Sequence, residues 1–296
     1  MAGTDIRIDA LLPAEMAAKA EQIGVTRAGI DNLSLFVLAL LAGAFVALGG
    51  LFFTTTIAGA SATMPFGMMR LIGGVVFSLG LVLAICGGAA LFTGDNLIVM
   101  AWASGKVSTA SMLRTWMVVY AGNFVGAVAT AVMVYLSGQY TFGGGAVGAS
   151  ALAIADGKLG FTFLQAVCLG ILCNALVCLA VWLTYSTRTS DGKVIVVLLP
   201  IGAFVTAGFE HCVANMYFFP LALLIKSSAG DTFWKAIGKT PEDYPMLTWD
   251  AFLTGNLVPV TLGNIVGGSV LVGAVYWFLY LRRSAHAVPA SAAQDE

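Results

Sequence analysis

Charge is the scarcest commodity in this sequence. Asp, Glu, Lys and Arg make up 10% of its 296 residues, while apolar residues make up 59%. A soluble domain carries about 25% charged residues. So few charges cannot wet a surface all round, and most of that surface is therefore expected to face lipid. A spanning helix takes about 20 mostly apolar residues, so the length allows roughly six spans with their loops. The net charge of −1 leaves no footprint for nucleic acid. No lysine has the glycine spacing of a phosphate-cradling loop, and neither H-E-x-x-H nor G-x-S-x-G occurs. Nothing here supports an enzyme reading.

The five cysteines, Cys86, Cys168, Cys173, Cys178 and Cys212, lie in apolar stretches without the spacing of a paired metal knuckle. They are expected to be small buried hydrophobes, and no metal or cofactor is called for. A basic region followed by an apolar core, the mark of a cleavable signal peptide, is missing from the polar first thirty residues. Residues 1–30 are expected to be a cytoplasmic segment. Within it 11–28 forms an amphipathic helix at the membrane surface, with Pro13 in its first turn. Residues 31–283 form the transmembrane domain, and 284–296 a polar cytoplasmic tail.

The apolar runs predict an all-α membrane protein. The first span covers Leu33 to Ile57. The second opens at Arg70, is interrupted at Gly87-Gly88, passes LFTGDN (91–96) and continues to Ala103. The third covers Leu113 to Leu136, and a Gly- and Ala-rich loop leads to Lys158. The fourth covers Thr162 to Tyr185. The fifth begins near Val194, breaks around Gly208 and resumes from His211 to Ile225. After a polar loop, the sixth covers Leu257 to Tyr280. Six spans put both termini on one side. The termini and even-numbered connections hold Arg7, Lys19, Arg27, Lys106, Arg114, Arg188, Lys193, Arg282 and Arg283; the other loops hold Arg70, Lys158, Lys226, Lys235 and Lys239. That excess places both termini in the cytoplasm.

The two halves echo each other. Gly122-Asn123-Phe124-Val125-Gly126 in the third span matches Gly263-Asn264-Ile265-Val266-Gly267 in the sixth, and the middle span of each half is the broken one. Three spans per repeat give repeats of inverted topology, although a short match of this kind also arises in glycine-rich helix interfaces.

Irregular backbone at membrane depth has to be buried in protein or line a wet cavity, so two broken spans mark one passage. A helix that restarts after a break presents backbone N–H groups, which favour an anion. Thr93 adds a hydroxyl. Asp95, Glu210 and His211 are the ionisable residues within spans, and such residues are costly there. His211 titrates near neutral pH and suits an anion pathway; bracing the break is its alternative. Glu210 points away from His211 on a helix and suits a structural anchor. Asp95 suits a cap on the restarting helix. Phe77, Phe92 and Phe204 suit a constriction or ordinary packing.

Five long stretches then resemble the formate–nitrite transporter family, in its formate channel branch: FFTTTIAGA (52–60), GAALFTGDNLIV (88–99), ADGKLGFTFLQAVCLGILCNALVCLAVWL (155–183), GFEHCVANMYFFP (208–220) and NLVPVTLGNIVGGSVLVGAVYW (256–277). The resemblance, which covers about residues 30 to 283, implies an aquaporin-like, inverted-repeat protomer of six spans in the bacterial inner membrane. It also implies a homopentamer with one pore per protomer. By the same resemblance Thr93 and His211 are the central selectivity pair. Lys158, Asn174 and Glu210 attract the anion or orient the histidine. Phe77, Leu81 and Phe204 form the cytoplasmic constriction, and Leu91, Phe92 and Val177 the periplasmic one. The implied substrate is formate, alone or with a proton as formic acid. Nitrite, hydrosulfide, acetate and lactate are the alternatives. A neutral-solute channel of aquaporin type would need paired N-P-A motifs, but Met216 follows Asn215 and Leu257 follows Asn256. The sequence departs from the family at Ala90, where Glu is usual before L-F-T; Asp95 is the candidate replacement.

Overall fold

The computed structural model describes residues 10–60 and 63–282. Arg7, Arg283, His286 and the tail 284–296 lie outside the described residues. Thirteen helical stretches carry the fold among them. The first half holds α1 (Pro13–Ala28), α2 (Asn32–Ile57), α3 (Phe66–Phe77), α4 (Leu79–Cys86), α5 (Phe92–Asp95), α6 (Val99–Ala103) and α7 (Thr109–Leu136). The second holds α8 (Ala146–Leu159), α9 (Phe163–Ser186), α10 (Ser190–Ala207), α11 (Cys212–Ser228), α12 (Asp231–Ile237) and α13, the continuous run Ala251–Tyr280. Six helices are long and apolar enough to cross a membrane: α2, the joined pair α3–α4, α7, α9, α10 and α13.

Polar caps mark where the long helices start. Asp31 accepts a hydrogen bond from the Ser34 N–H at the head of α2, and Ser108 accepts from the Ser111 N–H at the head of α7. Thr162 accepts from the Gln165 N–H, and the Gln165 side chain accepts from the Thr162 N–H, a reciprocal box that starts α9. The spans then meet through glycines. A Cβ on Gly126 would lie 2.0 Å from the Leu40 carbonyl oxygen, which lets α7 approach α2; one on Gly267 would lie 2.2 Å from the Ile171 oxygen, which lets α13 approach α9.

Five expectations are corrected, the one on the cysteines in part. The Gly- and Ala-rich segment is a loop only as far as Gly145; α8 follows, with Ala151, Leu152 and Ala155 buried. Three left-handed glycines, Gly143 to Gly145, hid the good helix formers behind them. The polar loop after α11 holds α12, bent 110° from α11. The sixth span starts at Ala251, with π-helical stretches at 251–257 and 266–274 flanking the segment that carries Asn264. Finally, α1 does not merely lie at a surface. Met16, Ala17 and Ala20 are buried in a cluster with Leu97, Met100, Trp182 and Val272. Lys106 pairs with Glu21 at 2.5 Å. Of the cysteines, Cys173, Cys178 and Cys212 are buried as expected, but Cys86 and Cys168 are exposed.

Candidate functional site

Two breaks interrupt the helices, and they share one backbone construction. Before α5, the chain turns at Gly88 (φ +73); before α11, it turns at Gly208 (φ +77). A left-handed residue of this kind is what glycine supplies at a helix end. One residue on, the Ala89 N–H donates to the Ala84 oxygen (2.9 Å) and the Phe209 N–H to the Phe204 oxygen (3.0 Å). The next N–H reaches another helix: Ala90 to the Leu38 oxygen, Glu210 to the Leu169 oxygen. Leu91 and His211 then adopt the same extended conformation as the residues before α5 and α11.

The repeated asparagine holds each break. Asn123 accepts from the Phe92 N–H at 2.9 Å and donates to the oxygens of Ala90 (2.9 Å) and Ala39 (2.7 Å). Asn264 accepts from the Cys212 N–H at 2.9 Å and donates to the oxygens of Glu210 (2.9 Å) and Gly170 (2.8 Å). Each thus ties the restarting helix, the residue two before it and the first span of its half. Both are fully buried, where such an amide is stable only with its partners made. The Gly-Asn-x-Val-Gly echo is therefore a structural device. It also corrects an expectation: the first N–H of each restarted helix is capped by asparagine rather than turned toward the gap.

Side chains occupy the gap instead. Thr93 Oγ1 lies 3.0 Å from His211 Nε2, and both residues are buried. The Ala214 N–H donates to His211 Nδ1 at 3.1 Å. A backbone N–H can only donate, so Nδ1 is an acceptor and the proton of the neutral ring sits on Nε2, directed at Thr93. The His211 ring also stacks on Phe204, 5.8 Å between centroids.

The other polar residues divide by role. Glu210 accepts from Lys158 Nζ at 2.6 Å on one oxygen, and from Asn215 (2.8 Å) and Asn256 (3.2 Å) on the other. It makes a buried four-residue network and no bond to the histidine ring. Asn174 donates to Asn96 Oδ1 (2.8 Å) and to the Asn264 oxygen (2.6 Å). It supports a brace, and its hydrogen bonds go to neither Thr93 nor His211. Asp95 caps nothing; its carboxylate lies 3.3 Å from Arg27 of α1. Arg27 and Lys158 precede α2 and α9 by the same distance in the chain, so Asp95 gives the first half the cation–carboxylate pair that Ala90 cannot.

Cavities approach the Thr93–His211 pair from both sides. On the side of α1, a cavity of about 230 Å³ is lined by Leu81, Leu91, Gly94, Asp95, Arg27, Lys19 and Lys193 among others. Burial, then the neighbouring Lys193 and Arg188 charges, hold the Lys19 ammonium below its ordinary value. On the opposite side, a vestibule of about 430 Å³ is bordered by Arg70, Lys158, Phe209 and Glu210. It adjoins a chamber of about 50 Å³ lined by Phe53, Arg70, Phe77, Lys158, Phe204 and His211. The Phe77 and Phe204 rings meet edge to face, 5.7 Å apart.

This geometry regroups the expected constrictions. Leu81 belongs with Leu91 on the α1 side, while Phe77 and Phe204 lie on the far side. The reason is the direction of the second span, which enters at Phe66 on the far side and descends toward α1, so residue 77 precedes residue 81 along the path. Phe92 packs against Tyr120 and Trp116, and Val177 is buried; neither lines these cavities. Sequence reasoning missed Arg70, Arg27 and Asn256 as site residues. For the first two the signal was present: an arginine at the head of a span and one at the end of an amphipathic helix.

The comparisons with known proteins agree on one family. The family profile described as Formate/nitrite transporter matches residues 14–278. Over 282 residues the chain is 46% identical to the formate channel FocA of Escherichia coli (strain K12), covering 95% of this chain and 99% of that one. It is 42% identical over 270 residues to the formate channel FocA of Haemophilus influenzae, covering 91% and 95%. Among solved structures, a pentameric formate channel with formate bound aligns at a TM-score of 0.81 and 45% identity, covering 85% of this chain and 98% of that one. An FNT family ion channel aligns at 0.76 and 27% identity, covering 90% and 98%.

Proposed function

This chain belongs to the formate/nitrite transporter family, and from that premise we propose that it conducts formate across a bacterial inner membrane. It does so as a pentamer whose protomers each hold a pathway, and as a channel rather than an enzyme. The observation that carries the reading is the buried Thr93–His211 contact, placed at two helix breaks with a cavity on either side. The names of the relatives and of the formate-bound structure support the substrate.

The pathway has an energetic problem to solve. A bare carboxylate moved into a medium of dielectric about 4 costs on the order of 20 kcal/mol before compensation. Phe77 and Phe204 at one end, and Leu81 and Leu91 at the other, present apolar walls to it. Between them His211 Nε2–H is a fixed donor, because the Ala214 N–H holds the tautomer. An arriving carboxylate oxygen takes the place of Thr93 Oγ1 as its acceptor, and the Thr93 hydroxyl rotates to donate a second bond. A proton carried through His211 requires Nδ1 to release the Ala214 N–H, so neutral formic acid forms only with local opening of the α11 start. The excess of Lys and Arg assigns the α1 side to the cytoplasm. The Phe77–Phe204 closure then faces the periplasm, with Lys158 lining its approach.

The test is formate-driven flux in proteoliposomes, at acidic and neutral pH, with nitrite and chloride as competitors. Formate flux is expected to exceed the others. His211→Asn, which keeps a donor but does not titrate, is expected to lower it about tenfold and to flatten its pH response. Nitrite preference in the wild type, or a His211→Asn protein with unchanged pH response, overturns the substrate or the proton step respectively.

A further inference from the structure

Lys158 is the obvious cation of the far vestibule, yet its charge is balanced. Its ammonium lies 2.6 Å from the buried Glu210 carboxylate, so the pair presents almost no net charge to an anion at a distance. The other charged side chain lining that vestibule and its inner chamber is Arg70. The Arg70 guanidinium donates to the carbonyl oxygens of Val205 and Thr206, the last turn of α10. No carboxylate lies within ion-pair distance of it among the described residues. A helix C-terminus offers only about half an elementary negative charge, and Glu210, the carboxylate whose field reaches the guanidinium, is already balanced by Lys158, so the three side chains together carry a net positive charge. The ring of Phe53 lies 5.6 Å from the guanidinium and touches Phe77 edge to face. Arg70 therefore stands at the Phe77–Phe204 closure, between the open vestibule and His211.

We propose that Arg70 supplies the net positive charge that collects small monovalent anions at the vestibule remote from α1, and that Lys158 serves chiefly to neutralise Glu210. The proposal rests on the anion-channel reading and deepens it. Field focused by a cleft of one sign raises local anion concentration and entry rate, and salt screens it. Arg70 acts on entry, so its loss is read in the half-saturating concentration rather than in maximal flux.

The experiment is formate flux into proteoliposomes over a range of formate concentration and ionic strength. Arg70→Gln keeps an amide donor for one α10 carbonyl and removes the charge. It is expected to raise the half-saturating formate concentration about tenfold and flatten the ionic-strength dependence, with maximal flux little changed. Arg70→Lys keeps the charge without the planar fork and is expected to stay near wild type. Arg70→His gives a single folded protein whose charge is set by pH; its half-saturation is expected to fall on acidification more than that of the wild type. If Arg70→Gln and Arg70→Lys lose function together, with lower melting temperatures, the residue is a brace for α10 and the proposal fails. It fails equally if Arg70→Gln matches wild type at every ionic strength. A wild-type protein that passes no anion overturns the channel reading itself.

Discussion

The two breaks differ in side chains where they agree in backbone. Gly88 and Gly208 make the same left-handed turn, and Asn123 and Asn264 make the same three bonds. Ala90 stands where the second half has Glu210, Leu91 where it has His211, and Asp95 where it has Asn215. One half therefore offers an apolar wall and the Thr93 hydroxyl; the other offers the titratable ring and the carboxylate network. Conservation of form keeps two unwound segments stable at membrane depth, where each unmet backbone group is costly. The asymmetry provides one donor pair and one apolar gate on the α1 side. A strictly symmetric molecule would have built two histidines or two leucines.

The largest effect expected from disturbing this comparison comes from copying the first half into the second. Glu210→Ala leaves Lys158 buried without its partner, a loss of about 3 kcal/mol, measured as a lower midpoint of unfolding in detergent. Adding Lys158→Ala should return part of that stability, because the cost is the stranded charge. A double variant no better than the single one means that Asn215 and Asn256 hold the network by themselves. Next in size are Asn123→Ala and Asn264→Ala. Each strands buried backbone groups, for about 2 kcal/mol or more, and the two losses should agree closely. A large loss in one half alone means that only one break depends on its asparagine. The smallest effect is expected from Gly88→Ala and Gly208→Ala, about 1 kcal/mol each for the left-handed turn. The two losses should be nearly equal, since an added Cβ at Gly208 makes only an ordinary 3.5 Å contact with Arg70 Nη2 and one at Gly88 faces open space. Matched thermal scans of the two variants decide it.

Much of this was legible in the chain. The broken spans, Thr93 and His211 as unusual side chains and the echoing glycine–asparagine motif all leave strong local signals: apolar runs cut by glycine, and polar residues rare in such runs; the pairing of Thr93 with His211 came from the resemblance. Asp95 was also conspicuous as the acid within that break, whereas its pairing with Arg27 of α1 is a product of packing. Helix α8 was not, because a run of glycines masks the alanine-rich segment after it. Nor was the docking of α1, whose buried face of Met16, Ala17 and Ala20 is short and weakly apolar. The resemblance groups Phe77 with Leu81, which sit one turn apart on the second span, and only the direction of that span separates them.

By itself the sequence determined that the chain lives in a membrane, that two spans are interrupted and which residues are chemically unusual there. Hydrophobic length and glycine placement are local properties, and they survive without knowledge of the neighbours. Tertiary structure alone decided what each polar group is bonded to. It gave the first N–H groups to Asn123 and Asn264 and the Glu210 carboxylate to Lys158, leaving Arg70 without a carboxylate at ion-pair distance among the described residues. Those assignments join residues from different helices, and a buried polar group takes whichever partner the packing brings within hydrogen-bond reach.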